Sequence, residues 1–486
     1  MSGIREEHPA LPQGWTWGTI SEIANLISGQ HILKENYNLK ALGVPYLTGP
    51  DDFGPKSPTI SKWTEKPKAI ALENDTLITV KGAGVGKVNL LGTSKAAISR
   101  QLMAIRSDQI NSSYIYYYFK SIFPFLQKLG AGSTVPGIDR ESILGISIPI
   151  APVNEQVLIS AKIEELFSRL DAGVEALRRA RTQLQRYRQS VLQAAVEGRL
   201  TAEWREAHPE VEPAEKLLEQ ILKRKKKIES FRLNAESPFD IPRDWAWTEL
   251  GLILSKIEAG KNFRCVERSP SLSEVGVVKV SAVSWGEFDE TQSKTSNDPS
   301  RINANYFIKE NDFLFSRANT IDLVGACVIV ENVNHQLMLS DKILRFSFIE
   351  VPSQWILYVL RSRHGRNEIE SLATGNQESM RNIGQDRIKR IKVPIPPKSE
   401  ISEIIKAIRY FLSIASTIEK SIECNLKIGI QLRQSILQRA FQGRLVPQDP
   451  SDEPASLLLE RIRAERINEA PRRGRKSKAQ QARLLQ

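Results

Sequence analysis

Hydrophobic positions along the chain follow two textures, and each texture occurs twice. Up to Pro149, and again before Pro394, short apolar runs such as Thr76-Leu77-Ile78-Thr79-Val80, Val88-Asn89-Leu90-Leu91 and Val324 to Val330 are broken by clusters of Gly, Asn, Asp and Ser. Runs of that length between turn formers predict strands. After each proline the spacing becomes helical. Ile163, Leu170, Leu177, Leu184 and Val191 recur every seven residues, with Leu166, Ala180, Tyr187 and Ala194 offset by three, which predicts a coiled-coil seam. A second stripe runs through Ile404, Ile408, Phe411, Ala415, Ile418, Ile422, Leu426, Leu432 and Ile436, with Asn425 and Gly429 interrupting it. Gly198 and Gly443 fall just past the last apolar positions, where a helix end favours positive φ, and an arginine follows each. A helix from about Glu155 to Glu197 would run on the order of 65 Å at 1.5 Å per residue.

The two textures recur because the chain is written twice. Arg188 to Leu200 (RQSVLQAAVEGRL) returns as Arg433 to Leu445 (RQSILQRAFQGRL), identical at nine of thirteen positions and offset by 245. The same offset carries Ile138 to Ile383, Pro149 to Pro394, Pro152 to Pro397 and Glu155 to Glu400. Earlier the offsets drift: Leu11 to Trp17 answers Ile241 to Trp247, and Glu73-Asn74-Asp75-Thr76-Leu77 answers Glu310-Asn311-Asp312-Phe313-Leu314. Insertions and deletions in those regions mark surface loops on a shared scaffold. Each half closes on the same short helical signature, Glu212-Pro213-Ala214 and Glu453-Pro454-Ala455.

Neither long helix has enough chain around it to bury its seam alone, so the pair is expected to pack together, antiparallel. The expected fold class is α+β: two β-rich α+β domains separated by two long antiparallel helices in a coiled coil, with internal pseudo-twofold symmetry. The expected boundaries are 1–150 for the first domain, 151–235 for the central long helix and the short helix after it, 236–397 for the second domain, 398–470 for the C-terminal long and short helices, and 471–486 for a basic tail. Trp15 with Trp17 and Trp245 with Trp247 are expected to pack the first strand of each domain.

Composition narrows the partners. With 68 Lys plus Arg against 56 Asp plus Glu, the formal net charge is +12, which favours polyanions. Part of that excess is the tail from Arg472 to Arg483, read as a polar, unstructured segment first and as an auxiliary phosphate-binding arm second. The run Lys223 to Lys227 reads as a solvated helix terminus. Three separated cysteines, Cys265, Cys327 and Cys424, form neither a disulfide framework nor a CxxC pair. No apolar run approaches membrane-helix length and the first residues lack a signal-peptide pattern, so a cytoplasmic protein with no membrane contact is expected.

Catalytic chemistry is not evident. Gly82 to Lys87 invites a nucleotide-binding reading, but its third glycine is one residue early for GxGxxG, and Lys81 and Val88 stand where GxxxxGK[ST] needs Gly and Ser or Thr. A glycine-rich turn with Lys81 and Lys87 free to meet phosphates fits better. The asparagine-proline-proline-aromatic loop of adenine methyltransferases is absent. His8, His31, His208, His335 and His364 have no spacing that suggests a metal or a nucleophilic triad, so no catalytic and no metal residues are assigned.

Several strings together resemble the specificity subunits of Type I restriction-modification systems: ENDTLITVKGAGVGKV, SRQLMAIRSD, GSTVPGIDRESILGISIPIAPVNEQ and the paired RQS(V/I)LQ…GRL. The resemblance covers nearly the whole chain. It implies a non-catalytic subunit with two target recognition domains, each reading half of a bipartite, asymmetric double-stranded DNA site, the helices setting the unread gap. It also implies docking of two methyltransferase subunits and of motor-endonuclease subunits. No cofactor is then expected in this chain, with S-adenosylmethionine, ATP and Mg on those partners.

Base readout calls for Arg, Lys, Asn, Gln, Ser and Thr on loops. Two loops per half qualify. The first half offers Lys81, Gly84 and Lys87, and then Ser133 and Thr134; the second offers Arg317, Asn319 and Thr320, and then Gln377 and Arg381. Where the first half has GAGVGKV (Gly82 to Val88), the second has ANTIDLVGACV (Ala318 to Val328), as expected if the halves read different sequences.

Overall fold

A computed structural model describes residues 9–131, 137–225, 237–284, 286–377 and 380–469. The chain divides into two compact units: one takes the chain up to Leu177 together with the chain from Cys424 onward, the other takes Arg178–Glu423. Each long helix, Val153–Val196 and Lys398–Phe441, therefore lends one end to each unit. Both units are mixed helix and sheet.

In the first unit Asn25–Ser28, Leu102–Arg106, Thr76–Thr79 and Val88–Leu90 form an antiparallel sheet, and Trp63–Thr64, Val44–Leu47, Lys95–Ile98 and Ile70–Leu72 form a second. The second unit repeats the first sheet with Leu254–Ala259, Ile343–Phe348, Phe313–Ser316 and Cys327–Ile329, and varies the second, in which Ser293–Ser296, Val275–Val278 and Gln336–Met338 gain Cys265–Val266 at the Ser293–Ser296 edge. Shared residues explain the shared turns. In ENDTL and ENDFL, Asn74 and Asn311 take left-handed backbone (φ 66° and 68°), which asparagine tolerates. The aspartate that follows accepts a backbone N–H at the turn, from Leu72 to Asp75 at 2.8 Å and from Lys309 to Asp312 at 2.9 Å. Each then binds a strand arginine, Arg106 at 2.7 Å and Arg345 at 3.0 Å.

The tryptophans pack the first strands as expected. Thr16–Thr19 pairs antiparallel with Ser147–Ile150, and Ala246–Glu249 with Lys392–Ile395. Trp15 Nε1 donates to Glu155 Oε2 and Trp245 Nε1 to Glu400 Oε2, both at 2.8 Å. Behind each strand pair, the Tyr114 hydroxyl donates to Pro149 O at 2.7 Å and Trp355 Nε1 to Pro394 O at 2.9 Å.

Each unit is closed by a helix end from the opposite half of the repeat. In the first unit, Gly443 (φ 64°) turns the second long helix against Pro12, and Ala455 N donates to Gly14 O at 2.8 Å. In the second, Gly198 (φ 73°) turns the first long helix against Pro242, and Ala214 N donates to Asp244 O at 2.9 Å. Both ends are Schellman motifs, with Arg199 N bonded to Ala194 O and Arg444 N to Arg439 O.

The helices pair antiparallel in both units, but the seam differs from the sequence expectation. The companions of Ile163, Leu170, Leu184 and Val191 fall both three and four residues on: Phe167 and Ala195 are buried, Leu166, Val174 and Ala194 half-buried, while Tyr187 is 40% exposed. Arg181 and Arg188 occupy the next turns of the row four residues on. Arg188 reaches Glu419 at 2.9 Å and Ser416 at 3.0 Å, and Arg181 reaches Glu423 at 3.6 Å. A count of apolar letters passes over such arginines, whose stems pack while their charge pairs. Gly429 does not interrupt its stripe but belongs to it, buried opposite Val174 and Leu170, whereas Leu432 and Ile418 are nearly half exposed. A Cβ at Gly429 would lie 3.4 Å from Val174 Cγ2, ordinary contact. Gly429→Ala is therefore expected to stabilise the first unit by about 1 kcal/mol through helix propensity, measured as a raised denaturation midpoint.

Candidate nucleic-acid interface

The two loops singled out in the second half are brought together in the second unit; in the first unit the Lys81–Lys87 turn is described, and of the second loop only the residues that follow it. In the first, the strand Thr76–Thr79 runs into a tight turn from Lys81 to Lys87. Gly82 and Gly86 supply positive φ (91° and 85°), and Thr79 N and Lys87 O close the turn at 2.8 Å. Lys81 and Lys87 are exposed at its two ends. Gly84 is buried, and a Cβ there would come within 2.5 Å of Pro50 Cγ. Its part is thus to seat the turn on Pro50 rather than to face a ligand. Lys81 forms a bridge with Gly137, and Ile138 N donates to Val80 O at 2.9 Å, so the segment following the second candidate loop lies against this turn. Ser133 and Thr134 lie outside the described residues.

In the second unit the corresponding meeting is a three-stranded sheet of Ala318–Asn319, Met380–Asn382 and Thr374–Gln377. Its register sets Asn319 opposite Arg381 and Ala318 opposite Asn382. Arg317 is half-buried, with Nε 3.4 Å from Asn382 Oδ1. The Asn319 side-chain oxygen accepts the Thr320 N–H at 2.8 Å, and Thr320 O accepts from Val324 N at 2.8 Å, so both residues shape the turn. Arg381 Nε is buried and has no hydrogen-bond partner among the described residues. The backbone of Gln377 pairs with Met380, and its side chain lies outside the described set.

Two arginines that sequence reading passed over hold this loop. The Arg366 guanidinium donates to Ile321 O and Val324 O, and Arg361 donates to Cys327 O at 2.8 Å and Gly286 O at 2.6 Å. Gly325 (φ 79°) packs against Ile369, where a Cβ would come within 2.4 Å. Of the run Lys223 to Lys227, expected to be solvated, Arg224 pairs with Glu350 and Lys225 Nζ donates to Gly251 O at 2.6 Å; Lys226 and Lys227 lie outside the described residues.

A second feature of this unit was also missed. A groove of about 570 Å³ is lined by Lys261, Lys279, Lys294 and Lys342. It adjoins the three-stranded sheet, because Arg317 N donates to Lys342 O at 2.9 Å. These lysines come from four segments with no shared spacing, so only the folded chain collects them. The backbone also aligns the two units here. Val80 N donates to Gln101 O as Arg317 N does to Lys342 O, and Gly29 and Gly260 each lie where a Cβ would come within about 2 Å of a carbonyl oxygen. Gln30 and Gln101 thus stand where the second unit has Lys261 and Lys342.

Among the described residues, no group of His, Cys, Asp and Glu is placed to hold a metal ion, and no helix is long and apolar enough to cross a membrane.

Residues 12–177 match the family model of the Type I restriction modification DNA specificity domain. Over 96% of this chain and 99% of the relative, the sequence is 26% identical to the specificity subunit of the Type I restriction enzyme EcoKI from Escherichia coli K12. It is 24% identical to the EcoEI specificity subunit of Escherichia coli, over 89% of this chain and 83% of that one. Among solved structures, the HsdS subunit from Thermoanaerobacter tengcongensis shares the fold with a TM-score of 0.53 at 16% identity, covering 91% of this chain and all of that one. A chain from a structural study of type I R-M complex assembly gives a TM-score of 0.62 at 15% identity, over 90% of this chain and all of that one.

Proposed function

We propose that the chain is a specificity subunit of a Type I restriction-modification system, and that it reads a bipartite, asymmetric duplex target, one half-site with each recognition domain. Its relatives are named specificity subunits, the non-catalytic components of Type I restriction enzymes, and it takes the same place. The observation that carries the finer reading is the contrast inside the repeat. Turns, strand pairs and helix caps recur at corresponding positions, while the corresponding loops present a lysine-flanked glycine turn in one unit and an arginine-bearing three-stranded sheet in the other. A scaffold kept alike and surfaces made unlike suit recognition of two different half-sites.

The paired helices then fix the unread gap, and the duplicated helix ends offer equivalent docking positions to two methyltransferase subunits, with motor-endonuclease subunits joining that complex. S-adenosylmethionine, ATP and Mg belong to those partners, and the complex works in the cytoplasm on double-stranded DNA. Selection from randomised duplexes by the chain together with its methyltransferase subunit is expected to enrich one split sequence, two fixed half-sites around a constant gap. Enrichment of a single undivided motif, or of none, would overturn this reading.

A further inference from the structure

The lysine groove of the second unit is distinct from the candidate base-reading loops, and its charge is arranged unevenly. Lys261 and Lys342 are exposed on two adjoining segments, tied by the parallel bridge between Lys261 and Ser340. Lys279 and Lys294 stand half-buried on the sheet and share one carboxylate: Glu267 binds Lys294 through Oε1 and lies 3.8 Å from Lys279 through Oε2. The groove thus holds two exposed cations, with the exposed Asp341 carboxylate also in its lining, and two more cations already gathered around the exposed Glu267. Next to it the Ser340 hydroxyl has no hydrogen-bond partner among the described residues.

Resting on the DNA-reading proposal, we infer that this groove is the phosphate-backbone track of the second recognition domain. Lys261 and Lys342 meet phosphates directly, and Glu267 acts as a resident stand-in for phosphate that keeps Lys279 and Lys294 in place until the backbone arrives. Contacts of this kind position a protein on the duplex without reading sequence, and each releases counterions. The neighbouring sheet of Arg317, Asn319 and Arg381 is tied to the groove through the Arg317 N to Lys342 O bond, so a strand seated on the lysines lies beside those side chains. In the first unit the equivalent positions are Gln30 and Gln101, which hydrogen-bond but carry no charge. The two domains are therefore expected to grip the backbone with different salt sensitivity.

The test uses the full chain and a labelled duplex of unrelated sequence, with binding followed by fluorescence anisotropy over a potassium chloride series. Wild type should bind with an affinity that falls steeply with salt. K261A/K342A should reduce the slope of log K against log salt by about 2, near 0.9 for each phosphate no longer neutralised. Q30A/Q101A should leave the slope unchanged, and so should K406A/K420A, which removes the same charge from the second long helix. E267Q should bind more tightly and with a steeper slope. A wild type that binds while K261A/K342A keeps its full slope, or that loses no more than K406A/K420A does, overturns the groove and leaves the DNA-reading proposal standing. A chain that binds no duplex at all overturns both. An independent readout is Cys265, half-buried in the groove: in a C424S background, with Cys327 buried, duplex should slow its alkylation, and an unchanged rate speaks against a strand seated there.

Discussion

Replacing Glu400 with alanine should destabilise the second unit by about 3–5 kcal/mol, the range for removing one partner of a buried ion pair. Glu400 is 1% exposed and gathers three donors: the Trp245 indole at 2.8 Å, the Thr201 hydroxyl at 2.6 Å and the Arg205 guanidinium at 2.5 Å. Without the carboxylate, a largely buried arginine and an indole N–H lose their acceptor in a space water does not readily fill. Chemical denaturation of the full chain should show the loss in the transition of the second unit.

The homologous Glu155 should behave in the opposite way. It keeps the tryptophan partner, but the second copy of the helix end offers Val446 and Pro450 where the first has Thr201 and Arg205. Its Oε1 is buried and has no hydrogen-bond partner among the described residues. Burial lifts the Glu155 carboxyl above its ordinary value of 4.5 and Asp452 adds to the rise, while the Trp15 N–H works against it. A raised folded-state pKa means that the folded unit holds the proton more tightly. This group's contribution to stability is then complete below pH 4.5 and is lost as pH rises through the raised value. Glu155→Gln, which keeps an acceptor for Trp15 and removes the buried charge, should accordingly gain stability over wild type as pH rises, most at neutral pH. Denaturation midpoints of the two proteins that stay parallel across the carboxylate range would sink the idea.

The second large effect concerns recognition. Arg317→Ala should relax the sequence preference of one half-site by about 1–3 kcal/mol at a single position, the usual worth of a bidentate arginine–guanine contact. The half-site read by the first domain should stay as it was. Selection from randomised duplexes with the methyltransferase subunit present reads both half-sites in one experiment. An equal loss across all sequences would instead make Arg317 a phosphate contact, and Arg381→Ala, tested alongside, shows whether the paired strand reads the neighbouring base. Arg366→Ala removes the side chain that donates to Ile321 O and Val324 O. It should weaken the same half-site by loosening the loop.

Much of this was legible because the relevant physics is local. A glycine that must take positive φ, an asparagine followed by an aspartate at a turn, a proline between a strand and a helix, and a seven-residue apolar period each act over a few residues. The repeat offset of 245 then doubled every such signal. Resemblance to the specificity subunits rested on those same strings. The seam of the coiled coil is wider than the apolar period suggests because Arg188 and Arg433 look polar in sequence. In the fold, Arg188 and Arg433 lie along the helix pair, and Arg433 stacks 4.9 Å from the Phe167 ring and binds Asp171.

By itself, then, the sequence determined the duplicated α+β plan, the two long helices, their caps and the strands bounded by turn residues, since each is set by neighbours in the chain. Only the tertiary structure decided which copy of the helix end closes which domain. Gly198 and Gly443 carry the same cap, so local preference is equal for both, and burial against Pro242 or Pro12 makes the choice. The tertiary structure also assembled the Arg317, Asn319 and Arg381 sheet and the groove of Lys261, Lys279, Lys294 and Lys342. No periodicity links residues gathered from such distant segments, and long-range strand pairing is the force that brings them together.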